Sequence, residues 1–162
     1  MNTLTSKIGM LAKYLMLLAM LSVALSPCCM SAGESVPFKG NAQGAIVGAV
    51  PDPGGLLLSV LAEGNATHLG RFSREEAVVF NPATGAIAGT VVFTAANGDK
   101  LYGALAGQFT SLTTVVGSYT FTGGTGRFAN ATGEADFSLT TPDGVHFTVE
   151  FKGHLSSVGA SK

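Results

Sequence analysis

The stretch TFTGGTGRFANATGEADFSLTT, Thr120 to Thr141, admits two readings with different folds behind them. Gly124-Thr125-Gly126-Arg127-Phe128-Ala129 fits a loose G-x-G-x-x-A dinucleotide fingerprint. That fingerprint has mechanical meaning only where a strand precedes the glycines and a helix follows, so that the helix N-terminus faces the pyrophosphate. Here a strand precedes, but EADFSLTT continues with the period-two alternation of another strand. The glycines therefore read as a turn that supplies positive φ or close backbone approach. No nucleotide cofactor is implied.

The same alternation recurs on both sides of this stretch. Short runs rich in Val, Thr and Phe occupy residues 36–48, 55–63, 67–80 (read as broken), 86–96, 99–109, 113–122, 133–141 and 145–156. They are joined by PDPGG (51–55), NPATG (81–85), ANGD (96–99) and TPDG (141–144). No segment sustains apolar spacing at i, i+3, i+4 and i+7, so helix is a minor component. Strands broken by turn chemistry at regular intervals read as all-β, and eight of them close a small antiparallel β-barrel.

The hairpin around TPDG shows its register in its side chains. A three-residue loop, Pro142 to Gly144, with Gly144 left-handed as a bulge, sorts Ala135, Phe137, Leu139, Phe147, Val149 and Phe151 onto one dry face. Glu134, Asp136, Ser138, Thr140, His146, Thr148, Glu150, Lys152 and His154 share the wet face, with Glu150 opposite Asp136. A two-residue loop would mix the faces. For the hairpin at Ala96-Asn97-Gly98-Asp99, Asn97-Gly98 predicts a two-residue type I′ turn. That register puts Val91, Phe93, Tyr102 and Ala104 on one face and Val92, Leu101, Leu105 and Phe109 on the other. Strands apolar on both faces need cover on both, which predicts a homo-oligomer or a packed segment outside the barrel.

The first 32 residues are of another composition. Lys7 and Lys13 precede the uncharged run YLMLLAMLSVAL (Tyr14–Leu25), and SPCCMSA supplies small residues before Gly33. This is the pattern of a cleavable signal peptide, 1–32, ahead of a single domain, 33–162. The twelve-residue run is short of the roughly 20 residues that span a bilayer, so no permanent membrane span is predicted. The protein is expected to be secreted or periplasmic, with a lipoprotein anchored at Cys28 or Cys29 as the alternative. Cleavage near Ala32 removes both cysteines. It also leaves seven basic residues against ten acidic ones, and no basic stripe for nucleic acid.

Candidate chemistry is sparse. His146 and His154 stand eight residues apart on one strand, about 27 Å, and cannot share an ion; with neither HExxH nor CxxC after Gly33, no metal site is predicted. Glu134 and Asp136, about 7 Å apart on one strand face, have a spacing that glycoside hydrolases use, but they share the wet face. No G-x-S-x-G motif occurs. His68, in GNATHLGRF between a turn and a strand, is the candidate acid, base or cavity-mouth ligand. Asn65 and Asn130 each head an N-A-T triplet of the glycosylation type.

Taken together, GNATHLGRF (64–72), NPATGAIAGTVVFTAANGDKLYG (81–103) and FTGGTGRFANATGEADF (121–137) resemble the allene oxide cyclase barrel-like family of small secreted bacterial proteins, and through it the plant dirigent proteins. The resemblance covers most of residues 36–156. It implies an eight-stranded barrel with an apolar lumen, trimeric in the plant members, that shapes the cyclisation or coupling of a reactive substrate. Three functional expectations follow. One is a small apolar ligand held in a lumen lined by Phe93, Tyr102, Tyr119, Phe137, Phe147 and Phe151. Another is an allene oxide cyclase-like isomerase, marked by an isolated polar group in an apolar pocket. A purely structural cell-envelope module is the third.

Overall fold

The computed structural model describes residues 35–156, and the expected signal peptide, 1–32, with Cys28 and Cys29 lies outside them. Eight strands follow in chain order: β1 (Ser35–Asp52), β2 (Gly55–Ala66), β3 (Gly70–Asn81), β4 (Ala86–Ala95), β5 (Lys100–Phe109), β6 (Thr114–Gly124), β7 (Thr132–Thr140) and β8 (His146–Ser156). Each pairs antiparallel with its neighbour in sequence, and β1 pairs with β8, so the sheet is a closed up-and-down barrel. The predicted all-β eight-stranded class is the observed one. Among the described residues no helix is long and apolar enough to cross a membrane.

Alternation selects the inside. Phe38 and Ala42 of β1, Val60 and Ala62 of β2, Val91, Phe93 and Ala95 of β4, and Phe147, Val149 and Phe151 of β8 are all buried, while their sequence neighbours face outward or are half-buried. The connections β2–β3, β4–β5 and β6–β7 lie at one end, where the barrel is shut. There Phe38 stacks on Phe151 and meets Phe121 edge-on, both at 5.2 Å between centroids, with Leu69, Leu101 and Leu155 fully buried around them.

The glycine stretch completes this closed end. Gly126–Phe128 forms one 3₁₀ turn that drives Phe128 fully into the core. Gly126 is left-handed, φ +52°, and Asp99 of the β4–β5 turn accepts from the Arg127 backbone N–H (3.3 Å) and from Asn97 Nδ2 (2.8 Å). These hydrogen bonds hold the Asp99 carboxyl below its ordinary pKa. Thr125 Oγ1 accepts from the Lys100 N–H at 2.8 Å. The stretch is a plug clasped to the start of β5.

Two loop expectations change. The β4–β5 turn uses three residues, with the Ala95 N–H donating to the Asp99 carbonyl and Thr94 opposite Lys100. Gly98 alone is left-handed (φ +87°) and Asn97 is not, whereas a type I′ turn needs both. The extra residue shifts parity, so Phe93 pairs with Leu101 inside while Tyr102 pairs with Val92 outside. In β7–β8 the dry and wet faces separate as expected, but the loop is longer. Thr140 pairs with Thr148 and Phe137 with Phe151. Asp143 bonds the N–H groups of Val145 and His146 within its own turn (2.9 and 2.7 Å) and Gly144 is left-handed. Closing that turn takes two more residues than a bulged three-residue loop, which leaves the parity unchanged. Asp136 consequently faces Lys152, and Glu150 faces Ser138.

Candidate functional site

On β3, the inward parity that holds Phe72 and Val78 in the core also carries Arg74 and Glu76 into the lumen. Arg74 is 1% exposed. Its Nη1 donates to the Tyr119 hydroxyl on β6 at 2.8 Å. Its guanidinium lies over the rings of Phe147, Phe93 and Tyr119, at 5.5, 5.9 and 5.9 Å to the centroids. Cation–π contact partly replaces lost hydration. Arg74 Nε sits 3.1 Å from Glu76 Oε1, within ion-pair distance but without the angle of a hydrogen bond. Nε, Nη2 and Oε1 are therefore buried with no hydrogen-bond partner.

Burial pushes the Glu76 carboxyl above its ordinary 4.5, against the opposing pull of Arg74. The Tyr119 hydroxyl is raised as well, chiefly by burial, so it stays a neutral phenol. Native proteins leave few buried polar atoms unpaired, and those that remain are often functional. Glu76 borders a cavity.

Toward the end that carries the β1–β2, β3–β4, β5–β6 and β7–β8 connections, a cavity of about 80 Å³ is lined by Glu76, Thr141 and apolar side chains including Ile46, Leu58, Val115 and Phe147. Drug-sized ligands occupy pockets of roughly 300–1,000 Å³, so this one admits a small molecule or one end of a longer one. Arg74 holds Glu76 from one inward position back along β3, and Ile46, Leu58, Ile87, Phe109 and Leu139 in the cavity wall are only partly buried. An acid held toward its neutral form in an apolar chamber can donate a proton or hydrogen bond to a carbonyl or ether oxygen.

A wider concavity of about 1,090 Å³ lies on the outer wall between Lys39, Asp136, Glu150 and Lys152. It is an open dent. A Cβ at Gly40 would stand 2.7 Å from the Phe151 ring, and one at Gly117 2.6 Å from that of Phe137, so the wall bends inward over those rings.

Of the residues predicted to line the lumen, Phe93, Tyr119, Phe137, Phe147 and Phe151 do point inward. Four of them fill space: Tyr119 contacts Phe137 at 4.7 Å, Phe93 at 5.7 Å and Phe151 at 6.1 Å. Phe147 alone of the six borders the cavity. Tyr102 is outside and 38% exposed, for the parity reason given above. His68 is the left-handed residue of the β2–β3 turn (φ +66°), exposed at the closed end and away from the cavity. Sequence reasoning passed over Arg74 and Glu76, although their parity with Phe72, Val78 and Phe80 was a usable signal. Among the described residues no three His, Cys, Asp or Glu side chains gather as a metal cluster would.

No protein-family model matches the chain. No curated protein matches it either. Among solved structures it is similar to the pterocarpan synthase dirigent protein GePTS1, with a TM-score of 0.57 and 16% identity over 83% of this chain and 96% of that one. It is similar also to the pterocarpan synthase dirigent protein PsPTS1, with a TM-score of 0.55 and 16% identity over 78% and 97% of the two chains. At that identity the likeness is one of fold: the chain is a dirigent-like eight-stranded barrel.

Proposed function

We propose that the barrel binds a small apolar molecule, or the apolar end of a larger one, in the chamber above Glu76. The observation that carries this reading is the Glu76 carboxyl in the wall of a mostly apolar cavity, its Oε1 buried 3.1 Å from Arg74 Nε without a hydrogen-bond partner. Such a site selects a ligand with an apolar body and one polar group. The test is ligand-observed NMR and thermal shift with a panel of four- to eight-carbon alcohols, ketones and ethers. Binding should be lost in Ile87→Phe, which fills the chamber from its half-exposed rim. Absence of binding across the panel, or binding unchanged in Ile87→Phe, overturns the reading.

A second reading, an allene oxide cyclase-like isomerase that steers a reactive substrate, is favoured by the raised Glu76 carboxyl. It requires turnover of an epoxide or polyene that is lost in Glu76→Gln. The proposal extends to a chain exported through residues 1–32, to a secreted, periplasmic or Cys28/Cys29-anchored form. It extends also to a homo-oligomer covering the charge-free outer wall of Ala77, Val79, Ala88, Ala104 and Ala106. Mass spectrometry of the N-terminus and light scattering test these two points.

A further inference from the structure

Charge and apolar exposure are segregated along the barrel axis. Lys39 near the start of β1, Arg71 at the start of β3, Lys100 at the start of β5, Arg127 in the 3₁₀ turn and Lys152 toward the end of β8 all belong to the closed half. Arg74 is buried. Among the described residues the open end carries no cation apart from His146, whose Nδ1 is engaged 2.7 Å from the Asp143 carboxylate. The carboxylates at its turns are Asp52 and Asp143.

Five of the seven large apolar side chains that the barrel exposes lie in this same half: Val47, Val50, Leu112, Val116 and Val145. They do not form a flat wall. Leu112 is 97% exposed at the tip of the β5–β6 loop, and Val145 is 45% exposed in the β7–β8 loop. Val47 is the bulged residue of β1, and Val50 stands 53% exposed where β1 has left β8 and pairs with β2 alone. These prongs ring the mouth and continue into the half-buried Ile46, Ile87, Phe109 and Leu139 of the cavity wall.

We propose that the open end docks on a neutral lipid surface, with Leu112, Val145 and Val50 dipping into the interface and the mouth facing the acyl chains. Apolar prongs on separate loops can enter a soft interface together. With no Lys or Arg among the described residues at this end, Asp52 only partly buried and His146 already engaged by Asp143, nothing there attracts an anionic membrane, and the surface fits a zwitterionic one. The proposal rests on the lumen reading above and adds its source: an apolar ligand dissolved in the bilayer reaches the chamber without crossing water.

The chain contains no Trp, so Leu112→Trp installs a sole indole at a site where 97% exposure leaves the fold untouched, and Lys100→Trp does the same at the closed end. With phosphatidylcholine vesicles the first should shift blue and be quenched by brominated lipid, while the second should not. Leu112→Asp should weaken co-sedimentation about tenfold, and phosphatidylglycerol should weaken it further. The apolar run of residues 14–25 is common to every variant and contributes equally to each. An unshifted indole at 112, equal quenching at 100 and 112, or tighter binding to anionic vesicles overturns the proposal. The lumen reading is tested in solution without lipid, so either can fail alone.

Discussion

Arg74 of β3 and Tyr119 of β6 reach across the lumen and meet in a hydrogen bond of 2.8 Å, with both side chains 1% exposed. Neither strand neighbours the other in the sheet, so this bond ties opposite walls of the barrel. Removing one member of a buried ion pair strands the other without water, at a cost of about 3–5 kcal/mol. Arg74→Met should destabilise by that order in urea denaturation. The double variant Arg74→Met/Glu76→Leu should recover much of the loss, since two apolar side chains need no solvation. A double variant no better than the single would show that Glu76 does not depend on Arg74.

Glu76 and Asp143 should bend the stability–pH curve in opposite directions. The Glu76 carboxyl is raised in the fold, so its contribution is complete below its ordinary 4.5 and declines as pH rises through the folded value. Wild type should therefore lose stability relative to Glu76→Gln as pH climbs from that point. Asp143 is lowered to about 2, first by the His146 hydrogen bond and then by the Val145 and His146 N–H groups. Its contribution holds above its ordinary 3.8 and disappears as pH falls to about 2. Melting temperatures of wild type, Glu76→Gln and Asp143→Asn across pH 2 to 8 check both signs.

The β4–β5 register is open to a simple comparison. Phe93→Ala should cost about 3–5 kcal/mol, the usual loss for a fully buried aromatic. Tyr102→Ser, on the outer wall, should cost no more than about 1 kcal/mol. Equal losses would return Tyr102 to the lumen and restore the two-residue turn.

Gly126→Ala should destabilise by at least about 1–2 kcal/mol, because the left-handed φ of +52° disfavours any Cβ and a side chain there would press on Asp99. Gly98→Ala, where nothing stands within 4 Å of a Cβ, should cost less, from backbone strain alone. Chemical denaturation of the pair separates crowding from strain.

The strands and their number were legible because half the barrel faces water, and period-two alternation records that directly. Phe137, Phe147 and Phe151 could be placed inside from the β7–β8 pattern even though the loop length was misjudged, since lengthening the loop by two residues conserves parity. The β4–β5 hairpin gave no such protection. Val92 and Tyr102 are apolar on the outer face, so the side chains could not choose between registers, and a turn rule chose wrongly. Arg74 and Glu76 were missed for the complementary reason. Charges inside a strand read as solvent-facing by default, and only the barrel's closure supplies the Tyr119 hydroxyl and the three rings that make an interior arginine tolerable. His68 drew notice as a titratable group beside glycine, but its left-handed backbone marks it as a turn residue.

The Phe128 plug has a kinetic consequence. A barrel stoppered at one end has a single door, so an occupant of the chamber above Glu76 leaves by the route it entered, and no newcomer can push it out from behind. Exchange must then be dissociative: the rate at which one ligand replaces another is set by departure of the first and stays flat as the competitor's concentration rises.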